Sequence, residues 1–301
     1  MTKEIVDVAD LDCVYLTYDE PNKEATWVKI QNMVPWAKRV DGVKGSDAAH
    51  KAAADASYTD RFILIDGDNI PDSQFFNLQL TLDNTNKDVV FRWKARNHIN
   101  GLQYGNGGLS CWTKDFINQM KTHEASDGTA SNDVEFCFYP NYWAMNDCYS
   151  TTYPNATPFQ AWRAGFREGV KMCLDRGAKP SLEEFETRVH SRNYDHLCIW
   201  LSVGADVENG FWAIYGARLG THMTMLEDRW NYKQVQDFDA LANLWNNYKG
   251  RGDALDHCKQ LGDTLRTRLD LPIIDIDPEE SKFFKYHYKS NLRNKGIMER
   301  E

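Results

Sequence analysis

The sequence predicts an α/β domain of the nucleotide-binding sort over residues 1–150, followed by a mostly helical half over 151–301. Three observations carry this. Strand and helix patterns alternate through the first hundred residues. A short, continuous apolar run, "RFILID", has the profile of a strand buried on both faces by parallel pairing. From about residue 157 the apolar spacing becomes helical.

The elements follow in order. "CVYLTYD" (13–19) is rich in β-branched and aromatic residues and reads as the first strand. Residues 24–33 form a short helix stopped near Pro35, and "AKRVDGV" is a short second strand. "SDAAHKAAADASY" is an alanine-rich helix with Ser46 or Asp47 as its cap. "RFILID" is the third strand and "DVVFRWKARN" another. "TPFQAWRAGFREGVKMCLDRG" starts with a threonine cap and a proline at the first helical position. Its Phe159, Trp162, Phe166 and Val170 share one face. "SLEEFETRVHSRN" and "DFDALANLWNNYKG" are two more helices. No internal repeat, low-complexity tract or long linker interrupts the chain.

Composition removes several classes. The 301 residues are 42% hydrophobic and 26% charged, as in ordinary globular enzymes. Aromatics reach 13%, with ten tryptophans, which suits thick cores or stacking surfaces. No run nears the roughly 20 apolar residues of a membrane span, and "MTKEIVDVADLD" lacks a signal-peptide profile. The seven cysteines, Cys13, Cys111, Cys137, Cys148, Cys173, Cys198 and Cys258, make no C-x-x-C pair, so no zinc ribbon or disulfide scaffold is expected. A reducing, cytoplasmic setting follows. A net charge of −9 argues against a general coat on nucleic acid. It leaves room for a local basic patch, and "KFFKYHYKSNLRNK" (282–295) interleaves bases with rings as a nucleic-acid strand would require. The alternative is a tail docked by its rings.

The chemistry concentrates where the third strand ends, in "FILIDGDNIPD" (62–72). Alternate strand residues face the same way, so Asp66 and Asp68 are expected to project together, with Gly67 leaving room for a ligand. Ligands of open α/β sheets bind beyond the carboxyl ends of strands. A carboxylate pair there suits a hard divalent cation, Mg²⁺ or Mn²⁺, bridging to substrate phosphates. Asp-Gly and Asp-Asn are also ordinary turn chemistry. No G-x-x-x-x-G-K-[ST] is present, and "YGNGGLS" is not placed to bind a dinucleotide.

The stretch "GVKGSDAAHKAAADASYTDRFILIDGDN", after a first strand, resembles the donor half of GT-A glycosyltransferases, with Asp66 and Asp68 matching their D-x-D. The resemblance covers roughly residues 12–140. It implies a Rossmann-like, mixed but mostly parallel sheet. "SNDVEF" resembles the segment that carries the base of inverting members, with Asp133 in the base position and Asn132 replacing the usual acid before it. "NGLQYGNGGLSCW" resembles the glycine-rich loop that borders the acceptor. "STTYPNATPFQAWRAGFREGVKM" and "DVENGFWAIYGARLGTHMTM" resemble glycosyltransferases of T4-like and marine phages. Some of those transfer a sugar, such as arabinose, to 5-hydroxymethylcytosine in DNA.

The resemblance implies a metal-dependent enzyme taking a nucleotide-sugar, UDP-linked, and a hydroxyl acceptor, 5-hydroxymethylcytosine in DNA, in the cytoplasm of a phage-infected cell. Asp68 would ligate the metal, with Asp66 contacting the metal shell or the donor ribose, and Asp133 would deprotonate the acceptor if the reaction inverts. His222 is the candidate third ligand, and Arg218 is a candidate partner of the diphosphate. Arg163 and Arg167, one helical turn apart, are candidates for acceptor phosphate or a solvated face. Asp41 would accept from the donor base, with Thr17 or Asp19 lining that pocket. Two alternatives remain. One is a polysaccharide or protein acceptor. The other is a nucleotidyltransferase, whose usual glycine-rich loop after the first strand is replaced here by "TYDEPNKEA".

Overall fold

The computed structural model describes residues 3–120 and 141–288. The chain divides into two compact units, one of residues 1–98 and 103–153, the other of residues 99–102 and 154–301.

The first unit runs β1 (Glu4–Asp7), β2 (Asp12–Thr17), α1 (Lys23–Met33), β3 (Lys38–Asp41), α2 (Ser46–Ala56), β4 (Arg61–Asp66), β5 (Asn69–Pro71), β6 (Gln79–Leu82), β7 (Val90–Asn97), β8 (Gln103–Thr113), α3 (Lys114–Gln119) and β9 (Tyr142–Thr152). Strands β1 and β6 make a small antiparallel pair. The other seven form one sheet in the order β3-β2-β4-β8-β7-β9-β5. Pairings β2–β3, β2–β4 and β7–β9 are parallel; β4–β8, β7–β8 and β5–β9 are antiparallel. The sheet is therefore evenly mixed.

Strand β4 explains its own composition. Ile63 and Ile65 enter one hydrophobic cluster, with Tyr15, Phe75, Phe91 and Trp93. Phe62 and Leu64 enter a second, with Ala53, Trp112 and Tyr142. A strand covered on both faces has no polar side to alternate with. Helix α2 starts one residue before the expected cap: Gly45 holds the N-cap position at φ +94°, and neither Ser46 nor Asp47 caps by its side chain. The glycine-rich stretch expected as a loop is strand β8, lying between β4 and β7.

The second unit is helical: α4 (Pro158–Lys171), α5 (Phe185–Arg188), α6 (Ser191–Trp200), α7 (Gly210–Leu226), α8 (Phe238–Trp245), α9 (Ala254–Leu269) and α10 (Pro278–His287). Thr157 caps α4, its side-chain oxygen accepting from the Gln160 N–H at 3.1 Å. The helix expected over 181–193 breaks into α5 and α6, because the His190 ring leaves the helix to cap α6, accepting from the Arg192 N–H at 3.2 Å. Trp162, Phe166 and Val170 of α4 join Ile214, Tyr215 and Leu219 of α7 in the core of this unit. Helix α10 is fastened by Ser281, whose Oγ accepts from the Gly204 and Ala205 N–H groups at 3.2 and 3.3 Å. No helix among the described residues is long and apolar enough to cross a membrane.

One buried group here sets an acid limit on stability. His196 of α6 is 8% exposed. Burial, and then Arg192, push its pKa down from 6.5 to about 4, against a smaller opposing pull from Asp195. The unfolded chain takes up this proton near pH 6.5 while the fold refuses it until about 4. Lowering the pH through that window therefore favours unfolding, by about 2 kcal/mol between pH 7 and pH 5. Urea unfolding at the two pH values should show this loss, and His196→Gln should shrink it by that amount. An identical loss in both proteins would refute the assignment.

Candidate active site

The carboxyl ends of β2, β3 and β4 lie side by side, because β2 pairs in parallel with both neighbours. Leu16 is level with Asp66 and Thr17 with Asp41. Loops leaving these three strands therefore meet over one edge of the sheet, the place where α/β folds bind ligands. Two groups of side chains form there.

The first group is anionic. Strand β4 ends at Asp66, Gly67 and Asp68 make a turn, and β5 begins at Asn69. The turn is pinned twice: the Tyr15 hydroxyl donates to the Gly67 carbonyl at 2.7 Å, and the Tyr153 N–H donates to the Asp68 carbonyl at 2.8 Å. Glu20, in the loop after β2, points back over the turn, its Oε2 accepting from the Tyr18 N–H at 2.8 Å. A Cβ on Gly67 would lie under 3.0 Å from the Glu20 carboxylate, so only glycine admits it. Burial, then Asp68, then Glu20 push the Asp66 carboxyl up to about 8. No cation acts on it among these causes.

The second group is mixed in charge. Asp41 accepts from Lys23 Nζ at 2.6 Å and from the Thr17 hydroxyl at 2.8 Å. These two bonds, and then Arg39, hold its carboxyl below the usual range. Arg39 forks onto Glu24 through two bonds of 2.8 and 2.7 Å and donates from Nε to Thr17 Oγ1 at 3.2 Å. Thr17 is buried, Asp19 is exposed, and Tyr18 presents a ring that is 47% exposed.

The structure thus gathers Thr17, Asp41, Asp66 and Asp68 at one edge of the first unit, with Asp19 in the adjoining loop. It adds Glu20, Lys23 and Arg39, which the sequence reading missed. The signal for Glu20 was available: parallel pairing of the first and third strands brings the loop after "CVYLTYD" against the D-G-D turn. Asp133 and Glu135 lie outside the described residues.

The remaining candidates fall in the helical unit. Arg218 is 1% exposed, and its guanidinium donates to the carbonyls of Leu201, Cys258 and Ile274 at 2.8, 3.0 and 3.0 Å. Three loops are tied by one cation, so its donors are spent on the fold and a role toward diphosphate is not kept. His222 faces Glu227, Nδ1 to Oε1 at 3.2 Å. Arg163 and Arg167 both lie over the Phe238 ring, 4.9 Å from its centroid. Of the basic residues expected in the C-terminal patch, Lys285 pairs with Asp206 at 2.6 Å and donates to the Ile99 carbonyl at 3.2 Å. Lys282 is exposed, as are the rings of Phe283 and Tyr286. Lys289, Arg293 and Lys295 lie outside the described residues.

The residues at the sheet edge fit a divalent cation by their chemistry. Three carboxylates approach one another, the donors are hard oxygens, and a buried carboxyl lacks a positive partner. Among the described residues no three His, Cys, Asp or Glu groups converge closely enough to hold an ion alone. Substrate oxygens would complete the shell, which is how Mg²⁺ is usually held on one or two carboxylates.

No protein-family model matches this sequence, and no curated protein matches it. Two solved structures share part of its course. One is a glycosyltransferase involved in the glycosylation of the major capsid of PBCV-1, 10% identical, with a TM-score of 0.30 over 48% of this chain and 94% of that one. The other is HddC from Yersinia pseudotuberculosis, 14% identical, with a TM-score of 0.28 over 46% of this chain and 71% of that one. Likeness at that level carries no inference about function, which rests on the geometry of the chain itself.

Proposed function

We propose that the chain is a glycosyltransferase of the GT-A kind, moving a sugar from a UDP-linked donor to a hydroxyl acceptor with the help of Mg²⁺ or Mn²⁺. One observation carries the reading: Asp66, Asp68 and Glu20 are gathered at the carboxyl edge of the sheet with no cation among the groups acting on Asp66. Asp68 and Asp66 would hold the ion, with Glu20 bearing on the same turn. When bound, the ion supplies positive charge to a leaving diphosphate. Asp41, its carboxylate kept ionised by Lys23 and Thr17, is placed to accept from an N–H of a donor base. The exposed Tyr18 ring offers that base a stacking surface. The rigid Gly67 turn, fixed from Tyr15 and Tyr153, sets the angle at which the carboxylates meet the donor.

A nucleotidyltransferase would need a glycine-rich loop after β2. Residues 18–22 contain no glycine, and Glu20 projects a carboxylate where such a loop would cradle phosphate. For the acceptor, the proposal keeps 5-hydroxymethylcytosine in DNA, supported by the exposed Phe283 and Tyr286 rings beside Lys282. Lys285 no longer belongs to that surface.

The test is metal-dependent protection. UDP with Mn²⁺ should raise the melting temperature, while either alone should do little; at a hundredfold excess over Kd the gain is about 2.7 kcal/mol. No shift with UDP or UDP-sugars in the presence of Mn²⁺ would remove the donor reading.

A further inference from the structure

Strand β7, "VFRWKARN", alternates in an unusual sense. Val90, Phe91, Trp93, Ala95 and Asn97 are buried, and Arg92, Lys94 and Arg96 occupy the alternate positions of one face. Lysine and arginine often guard an edge strand, but β7 is interior, between β8 and β9. A cationic row in the middle of a sheet has to be explained in another way.

Arg92 is the informative member. Its guanidinium lies over the Tyr142 ring, 5.3 Å from the centroid, a favourable cation–π seat. Nη1 also occupies the space that a Cβ on Gly105 would fill, so the partner strand leaves room for it by having no side chain there. The group is held on two sides. Yet its Nε is sealed from water without an acceptor, and among the described residues no hydrogen bond or ion pair engages the guanidinium. The fold treats its other buried arginines differently. Arg61 donates to the carbonyls of Val89 and Lys87 at 2.8 and 2.6 Å, and Arg218 to three carbonyls. An always-charged group, fixed in place and left without acceptors, is arranged for an anion that arrives from outside.

The register says where that anion would lie. Arg92 is paired with Ser110, and Ser110 with Leu64, two residues before Asp66. Directly paired residues share a face, so the row lies on the face of the sheet to which Leu64 and Asp66 belong. Strands β7 and β4 run in the same direction with β8 between them, roughly 10 Å apart. Passing from Arg92 to Lys94 to Arg96 therefore leads toward the edge where Asp66 and Asp68 stand. Carboxylates suited to a cation and a guanidinium suited to an anion are thus separated by about the length of a phosphorylated ligand.

We propose that Arg92, with Lys94 beside it on β7, forms a phosphate-binding subsite. Arg presents a planar fork that matches phosphate oxygens, and a second cation one pleat away suits a group of charge near −2. The phosphate belongs either to the diphosphate of a nucleotide donor or to a phosphate carried by the acceptor. The subsite goes beyond the transferase reading and does not depend on it.

Calorimetric titration of the full chain with inorganic phosphate and with pyrophosphate, without metal, tests it. Arg92→Met keeps the stem and removes the charge, and it should weaken pyrophosphate binding roughly tenfold or more. Arg92→Lys keeps the charge and loses the fork, and it should fall between the two; it also decides the matter if the Met variant proves unstable. Equal affinity in all three proteins, or no binding to wild type at concentrations of about 10 mM, would overturn the proposal. Repeating the phosphate titration with UDP and Mn²⁺ present separates the sources. Competition assigns the subsite to the donor diphosphate, and undiminished phosphate binding assigns it to the acceptor. Asp68→Asn separates this inference from the transferase reading, because it should leave metal-free pyrophosphate binding at Arg92 intact.

Discussion

Asp68→Asn is expected to abolish Mn²⁺-dependent UDP binding while leaving the protein folded and no less stable. The substitution keeps the shape of the side chain and removes one charge. In the fold that charge is a burden, since Asp68 and Glu20 both act to push the Asp66 carboxyl up to about 8, and burial adds to them. The backbone of the turn does not depend on the Asp68 side chain: it is held by Tyr15 on the Gly67 carbonyl and by the Tyr153 N–H on the Asp68 carbonyl. Relief of repulsion should therefore leave the melting temperature equal or higher. Function should move the other way. Losing one preorganised electrostatic contact typically costs about 10²- to 10³-fold in turnover, and a ligand of the ion has a larger effect than most. Calorimetry with UDP and Mn²⁺, beside a melting curve, checks both halves. Unchanged UDP affinity in the presence of Mn²⁺ would show that the carboxylates serve the turn and not an ion. A large drop in stability would show the same by another route.

The parts of this structure legible in the sequence are those whose signal is local. "RFILID" reads as a doubly covered strand because six residues suffice to show it, and Thr157-Pro158 announces α4 through its cap. The D-G-D edge follows from the strand that leads into it. What stayed hidden depends on distant pairing. Strands β8 and β9 carry glycines, asparagines and exposed positions that no propensity marks, and they are strands because β7 offers both of them an edge. Glu20 is a surface-looking residue in a polar loop until β2 is set beside β4. Arg218 looked like a ligand-binding arginine because it stands among glycines. Those glycines mark close packing, and three carbonyls from remote loops receive the guanidinium. Helix α7 escaped notice because it lacks a polar face, with residues buried on nearly every side of the helix.

That same helix gives the largest expected effect on stability. Gly165 and Gly169 of α4, and Gly216 and Gly220 of α7, are spaced by one turn on each helix. A Cβ on Gly165 would collide with the Ala213 carbonyl, and one on Gly169 with the Ala217 carbonyl. Reciprocally, a Cβ on Gly216 would collide with the Trp162 carbonyl, and one on Gly220 with that of Phe166. The two backbones touch, and the obstructing atoms are main chain, which cannot swing aside as a flexible side chain would. Elsewhere in a helix Gly→Ala is favourable by up to about 1 kcal/mol. Here the sign reverses, because the helices must separate and the apolar groups around the crossing, Trp162, Phe166, Tyr215 and Leu219 among them, lose contact together. Gly165→Ala and Gly216→Ala should each cost about 3 kcal/mol or more, a fall of roughly 6–12 °C in Tm for a unit of this size. Gly252→Ala is the control: nothing lies within 4 Å of its Cβ, so its effect should stay within about 0.5 kcal/mol. Melting curves of the three variants decide the matter. If Gly165→Ala melts with wild type, the close crossing of α4 and α7 is not what holds the helical unit together, and the clusters around α9 would have to carry that role.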